Sequence, residues 1–210
     1  MVVRPGKVFS IILLALCACL IWQILASKRE CSPKVILIPV GDVGRDVLSR
    51  LGTGLSKTYG LPVLIGNPMP AARRAFSPDR RQYSSTMILE DLARERGATP
   101  GRLLAVVEQD LYAPGLNFVF GEASGRFAVL GLSRMHPRFY GMPEDDRIFE
   151  RRALTEAVHE LGHAFGMRHC RNPKCVMSFS NNLADTDRKG MLFCDSCRRV
   201  MILRIQKDFR

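Results

Sequence analysis

The chain carries the sequence H-E-L-G-H-A-F-G-M-R-H at residues 159–169. His159 and His163 are four residues apart, so on an α-helix they lie on one face, one turn apart. Two imidazole nitrogens placed in this way can bind one Zn²⁺ at about 2.0–2.1 Å. Gly166 can adopt the left-handed conformation that ends a helix, so the chain can turn back and offer His169 as a third ligand. The pattern therefore predicts a helix that carries a three-histidine zinc site.

Glu160 follows the first histidine and is predicted to act as the general base. From this position it reaches a water on the metal rather than the metal itself. Three protein ligands with a fourth position open to water are typical of catalytic zinc, whereas four protein ligands are typical of structural zinc. A chance or purely structural occurrence is the alternative for a bare H-E-x-x-H. The longer string argues against it, because three of the four histidines lie within these eleven residues.

Four cysteines follow the histidines with the spacing C-x4-C and, after a gap, C-x2-C. They are Cys170, Cys175, Cys194 and Cys197. Paired cysteines at such spacings form closed tetrahedral thiolate sites for zinc. Two disulfides are the alternative and would require an oxidising compartment. Neighbouring cations favour zinc, because they would offset the negative charge of a zinc–thiolate centre. These cations are Arg168, Arg171, Lys174, Arg198 and Arg199.

The combined pattern H-E-x-x-H-x-x-G-x-x-H-C-x4-C-x-M, followed by C-x2-C, resembles the archaemetzincins. These are metzincin-like metallopeptidases with a second, cysteine-bound zinc, so the resemblance implies two zinc ions per chain, one catalytic and one structural. It extends to residues 81–86 (R-Q-Y-S-S-T) and 110–123 (D-L-Y-A-P-G-L-N-F-V-F-G-E-A) and spans about Lys34 to the C-terminus. A methionine turn beneath the zinc site is the hallmark of metzincins, and Met177 stands in that place with a packing role.

Strands and helices alternate in the sequence ahead of the zinc helix. Hydrophobic runs and turn residues predict strands at 35–40, 61–65, 103–107, 117–122 and 126–133. Helices are expected after Asp42, after Ser84 or Ser85, from Arg147 to about Met167, and at 194–209, with a polar loop at 181–189. With the resemblance, this indicates an α/β (α+β) metzincin-like fold. It consists of a twisted mixed sheet, an active-site helix and a small zinc-bound C-terminal subdomain.

Phe118–Glu122 is the predicted substrate-binding strand. In the metzincin arrangement an extended peptide pairs with an edge strand above the cleft, because the edge exposes unpaired backbone groups. An internal strand is the alternative. Phe179 is expected to pack in the core, with a place in the pocket after the scissile bond as its alternative.

Residues 8–26 form a run of nineteen without a formal charge. Nineteen helical residues span about 28 Å, close to a bilayer core of about 30 Å. The run predicts an uncleaved membrane anchor within residues 1–30, with the following domain outside the cytoplasm. A cleaved signal of a secreted protein, a lipoprotein attached at Cys19 and a buried core helix are the alternatives. Residues 31–210 form the predicted metallopeptidase domain, in which 170–197 contain the four-cysteine site.

The chain is basic, with a formal net charge of +11 over 210 residues. A basic domain tethered to a bilayer can lie against anionic headgroups, which agrees with a membrane partner. Nucleic-acid binding is the competing interpretation of this charge. No aromatic–basic interleaving or nucleic-acid module is visible in the sequence, so no nucleic-acid partner is predicted.

The sequence therefore predicts a zinc metallopeptidase that acts on a peptide or protein substrate. Zinc lowers the pKa of its water towards about 7, and Glu160 takes the proton as that water attacks the carbonyl carbon. The alternative is a catalytically inactive, zinc-stabilised and membrane-tethered binding protein. An intact Glu160 argues against it, because a purely structural zinc site does not require this carboxylate. The sequence leaves the substrate and the oligomeric state open.

Overall fold

The computed structural model describes residues 34–71 and 73–208. Eight strands are formed within these residues. They are β1 (Val35–Val40), β2 (Val63–Ile65), β3 (Phe76–Ser77), β4 (Gln82–Ser84), β5 (Arg102–Val107), β6 (Leu111–Tyr112), β7 (Gly121–Ser124) and β8 (Phe127–Gly131). Five α-helices accompany them. They are α1 (Arg45–Tyr59), α2 (Ser85–Arg96), α3 (Asp146–Ala164), α4 (Leu183–Arg188) and α5 (Asp195–Lys207).

The main sheet has five strands in the order β2-β1-β5-β8-β7. β2, β1, β5 and β8 run parallel to one another, and β7 runs antiparallel to β8 at one edge. A smaller sheet joins β3, β4 and β6 in that order. The predicted α/β (α+β) class with a mixed sheet is therefore confirmed.

Helices cover both faces of the main sheet, which is why β1 and β5 read as continuous hydrophobic runs. Alternate residues of β1 point to opposite faces, so Val35 and Leu37 pack in one core and Ile36 and Ile38 in the other. The first core contains apolar residues of α1 and α3, and the second contains those of α2. Helix α3 packs directly on β7 and β8. The zinc-motif helix therefore lies beside the sheet edge formed by β7.

The ends of the helices follow from local capping. The side chain of Ser84 accepts a hydrogen bond from the backbone N–H of Met87 at the start of α2. Asp145 accepts from the N–H groups of Arg147 and Ile148 at the start of α3. Such caps satisfy backbone donors that have no partner inside the helix. The predicted Ser84 start of α2 is thus confirmed, and α3 begins one residue before the predicted Arg147.

Two local predictions differ from the structure by more than a shift of two or three residues at an element's end. The edge strand begins at Gly121 rather than Asn117, because Val119 instead forms an isolated bridge with Leu111. The predicted polar loop at 181–189 contains helix α4, which the Asn182 side chain caps by accepting from the N–H of Asp185. A six-residue polar helix has no apolar period in its sequence; tertiary contacts stabilise it instead.

The prediction of a membrane-spanning helix is corrected. Among the residues that the structure describes, no helix is both long enough and apolar enough to cross a bilayer. The longest, α3, has 19 residues but carries charged side chains along its length, and such side chains are costly in hydrocarbon. Residues 8–26, on which the prediction relied, lie outside the described residues. The predicted anchored localisation outside the cytoplasm and the membrane partner depended on the same run and are withdrawn with it.

Candidate active site

The three histidines of the motif converge on one point. The Nε2 atom of His163 lies 3.1 Å from Nε2 of His159 and 3.2 Å from Nε2 of His169. A ligand atom from each of the three lies within 4.8 Å of the other two. A metal bound tetrahedrally at about 2.0–2.1 Å holds its ligand atoms about 3.3 Å apart. The donor set and its spacing therefore fit one zinc ion.

Helix α3 and the turn after it bring these rings together. The helix ends at Ala164, and Gly166 takes a left-handed φ of 79°. A side chain would be strained in this conformation, which explains the glycine at this place in the motif. The backbone N–H of Met167 returns to the carbonyl of Gly162, so the chain reverses and carries His169 back to the helix.

Backbone carbonyls orient two of the rings. The Nδ1 of His159 lies 2.8 Å from the carbonyl oxygen of Val176, and the Nδ1 of His163 lies 2.9 Å from that of Met167. A carbonyl accepts only, so each Nδ1 carries the proton and each Nε2 lone pair faces the common point. Burial lowers the pKa of all three histidines, most strongly for His159. The neutral imidazole is thereby favoured, and this is the form that binds metal.

Glu160 is buried beside the histidines. Burial raises the pKa of its carboxyl well above the usual range, and the Glu156 carboxylate acts in the same direction. A bound dication would act oppositely, because a nearby positive charge favours the carboxylate. Gly121 of the edge strand lies against this side chain: a Cβ at residue 121 would be 2.5 Å from Cγ of Glu160. The edge strand thus approaches the predicted base closely only because residue 121 is glycine.

The cleft above the histidines has a volume of about 540 Å³. One wall is the segment 116–123, which leads into β7, and the floor holds His159, Glu160 and His163. Phe179 forms part of the opposite side; its ring centroid lies 4.9 Å from that of His169. The expectation that Phe179 packs in the core is wrong, because 58% of it is exposed.

The two upstream segments that carry the family resemblance contact each other beside the cleft. Thr86 donates to the Glu122 carboxylate at 3.1 Å, and Ser85 donates to the same carboxylate. Gln82 donates to the Asp110 carboxylate at 3.0 Å and to the Asn117 carbonyl at 3.1 Å. These bonds tie the cleft wall to the start of α2. They explain why polar residues cluster at 81–86 without belonging to the histidine centre.

Met177 lies directly beneath the zinc-motif helix and is fully buried. It contacts Gly162, where an added Cβ would meet Sδ of Met177 at less than contact distance. The glycine between the two helical histidines therefore makes room for the methionine. The predicted packing role of Met177 agrees with this contact.

The four cysteine sulfurs also meet. One ligand atom from each lies within 4.8 Å of the others, and Sγ of Cys170 is 3.8 Å from Sγ of Cys194. Zinc at about 2.3 Å from tetrahedral thiolates separates the sulfurs by about 3.8 Å. All four are free cysteines rather than disulfide partners. The backbone N–H of Cys197 lowers the pKa of the Cys194 thiol to about 7, whereas burial raises the pKa of the Cys175 and Cys197 thiols. The set fits a second, closed zinc site.

Gly121→Ala tests the close packing of residue 121, whose added Cβ would lie 2.5 Å from both Cγ of Glu160 and the carbonyl oxygen of Val129. We expect kcat/KM for peptide hydrolysis to fall by about 100-fold, because displacement of a reacting group by about 1 Å has an effect of this order. Steady-state kinetics and a thermal melt would measure this. Gly44→Ala is the matched control, since its Cβ would meet only Val47 at 3.8 Å. Equal activity of Gly121→Ala and wild type would show that the two elements do not need this proximity.

Comparison with known proteins agrees with the geometry. The family model for peptidase family M54 matches residues 53–203. The archaemetzincin of Pyrococcus furiosus is 40% identical over 183 residues, which cover 83% of this chain and 95% of the relative. That of Methanocaldococcus jannaschii is 40% identical over 171 residues, covering 80% of this chain and 92% of the relative.

Solved structures similar to this chain are also archaemetzincins. The archaemetzincin of Methanopyrus kandleri superposes with a TM-score of 0.73 at 34% identity and covers 85% of this chain and 98% of that one. That of Archaeoglobus fulgidus, complexed with malonate, superposes with a TM-score of 0.69 at 36% identity, covering 79% and 98%. Neither comparison supports a membrane-tethered, inactive binding protein. The chain belongs to peptidase family M54, the archaemetzincins, and is a zinc metallopeptidase.

Proposed function

We propose that this protein hydrolyses peptide bonds with Glu160 as general base, at a zinc ion held by His159, His163 and His169. The observation that carries the proposal is the convergence of three Nε2 atoms, 3.1 and 3.2 Å apart, on the floor of a cleft that also contains Glu160. We place this site in a metallopeptidase domain of residues 31–210.

Glu160 moves the proton in this proposal. When bound, zinc supplies an electrophile that polarises the substrate carbonyl and makes water more acidic. Glu160 accepts a proton from the attacking water and passes it to the leaving amine nitrogen. Glu160 is buried but lines the cleft, so its carboxylate can reach a water or a substrate held there.

The edge strand β7 is proposed to align the substrate. Among the described strands, β7 pairs only with β8, and its other side borders the cleft. An extended peptide can pair with the backbone groups of this edge, with its side chains pointing alternately towards and away from the cleft floor. A peptide or protein substrate fits this geometry. The predicted strand Phe118–Glu122 is thus shifted in sequence but keeps its proposed role.

Cys170, Cys175, Cys194 and Cys197 are proposed to hold a second, structural zinc. This site would link the start of α5 to the chain that follows His169. With four protein ligands it has no position open to substrate. Two zinc ions per chain are therefore expected.

A peptide-library cleavage assay tests the proposed activity. The full chain is loaded with zinc until metal analysis shows full occupancy, and cleaved bonds are identified by mass spectrometry. We expect cleavage that stops when zinc is removed by a chelator and returns when zinc is restored. No cleavage of any library member by the fully loaded chain would contradict the proposal.

Phe179→Ala tests the exposed aromatic wall of the cleft. We expect kcat/KM for peptides with a bulky apolar residue next to the cleaved bond to fall by roughly tenfold, because one apolar contact in a pocket has an effect of this order. Peptides with small side chains should lose less. Leu203→Ala is the control, because Leu203 is exposed and does not line the cleft. Equal losses for both peptide classes would exclude a role in selectivity.

A further inference from the structure

A lysine is completely buried behind the histidine site. Only 1% of Lys189 is exposed, and its ammonium forms an ion pair with the Glu156 carboxylate at 3.0 Å. Thr186 donates to the same carboxylate oxygen at 2.7 Å. Lys189 follows helix α4, which the sequence predicted as a polar loop, so nothing in the local pattern indicated that this lysine is buried.

The lysine contacts each element that orients His159. Its Nζ lies 3.4 Å from the carbonyl oxygen of Ser178 and 3.5 Å from Nδ1 of His159. The acceptor of the Nδ1 proton, Val176, is two residues before Ser178. Glu156 lies on α3, three residues before His159, and therefore on the same face of the helix. Lys189 thus joins helix α3, which carries His159, to the segment 176–178, whose Val176 carbonyl accepts from Nδ1 of His159.

Stability alone does not explain this ion pair. Removing two charges from water is costly, and replacement of a buried pair by apolar side chains of similar volume is often neutral or stabilising. An apolar pair at Lys189 and Glu156 would pack, but it could not bond to the carbonyl of Ser178. What the pair supplies is a fixed position of residues 176–178 relative to α3.

We propose that Lys189, paired with Glu156, is a positioning residue for the metal ligand His159. By holding residues 176–178 against α3, the pair keeps the Val176 carbonyl on Nδ1 and so directs Nε2 towards the other two histidines. This inference rests on the proposed function, in which His159 binds the catalytic zinc. Loss of a residue that orients a metal ligand without binding the metal lowers metal affinity by about 10–100-fold.

The double variant Lys189→Met, Glu156→Gln tests the proposal without leaving one buried charge unpaired. The amide oxygen introduced by Glu156→Gln can still accept from Thr186, so we expect the chain to fold with a melting temperature near that of wild type. Zinc affinity of the histidine site, measured by competition with a chromophoric chelator, should fall by about 10–100-fold. In the zinc-free chain, ¹H–¹⁵N NMR of the histidine rings should show a weaker hydrogen bond from Nδ1–H of His159 to the carbonyl of Val176.

The matched control removes a neighbouring ion pair, which joins α3 directly to α4. Arg152 donates to both oxygens of Asp187, at 2.7 and 2.6 Å, one turn before Glu156. Arg152→Met, Asp187→Asn should alter stability but leave the zinc affinity and the hydrogen bond from His159 to Val176 unchanged. Wild-type affinity in the Lys189–Glu156 variant, or an equal loss in the control, would overturn the positioning role alone. A wild-type chain with no chelator-labile zinc would instead overturn the proposed function and this inference with it.

Discussion

Glu160→Gln is expected to retain its zinc and to lose peptide hydrolysis by roughly 10²–10⁴-fold. The amide has nearly the same shape as the carboxylate but cannot accept a proton, and the three histidine ligands remain. The approach of Gly121 to Cγ of residue 160 should also be preserved, because only a terminal oxygen is replaced. The effect should therefore fall on kcat rather than on folding or metal content.

Kinetics on a peptide identified from the library, together with zinc analysis, would measure this effect. Glu150→Gln is the matched control: Glu150 lies on the same helix but pairs at the surface with Arg50, at 2.7 Å. The control should keep near wild-type turnover. Near-normal hydrolysis by Glu160→Gln, with wild type active, would exclude Glu160 as the general base.

Cys197→Ser is expected to remove one zinc ion per chain and to destabilise the C-terminal region strongly. Structural zinc in small zinc-bound peptides contributes an apparent free energy of about 10–16 kcal/mol, and a site that loses one of four thiolates loses much of its affinity. Cys197 lies on α5, whereas Cys170 and Cys175 lie in the segment after the histidines. The zinc would therefore hold α5 against that segment.

Metal analysis before and after mild chelation, with thermal melts, tests this second site. Wild type should release the zinc of the open histidine site first and keep the zinc of the closed thiolate site. Ser196→Ala, at an exposed neighbouring position, should retain both ions. A fully loaded wild type with a single zinc and two disulfides among the four cysteines would contradict the second site.

The spacing of the candidate ligands along the chain predicts their arrangement in space, because residues a few positions apart on a helix or turn have a fixed relative position. The intervals in H-E-x-x-H-x-x-G-x-x-H predicted a helix with two histidines on one face, a left-handed glycine and a returning third histidine. The structure has this arrangement, including the φ of 79° at Gly166. Within each cysteine pair the two residues meet for the same reason, because only a short turn separates them. The hydrophobic runs of β1 and β5 likewise indicated buried strands.

The membrane prediction relied on hydropathy alone. A run of uncharged residues meets the length needed for a membrane span, but that criterion uses no information about the fold. No described helix meets it. The sequence-based prediction also missed helix α4, because it considered only the local pattern of apolar residues. Its polar sequence has no period, and the buried side chains of Thr186 and of Lys189, which follows the helix, find their partner on α3.

The sequence by itself thus indicated the two clusters of candidate ligands, the proposed general base and the main strands and helices, because each depends on residues that are near one another in the chain. Tertiary structure alone decided which groups surround that centre. Gly121 contacts Glu160 across 39 positions of sequence, and Lys189 reaches Glu156 across 33. Such contacts depend on the packing of β7 and α4 against α3. No local pattern encodes this packing, because burial and long-range hydrogen bonds determine it only when the whole domain is folded.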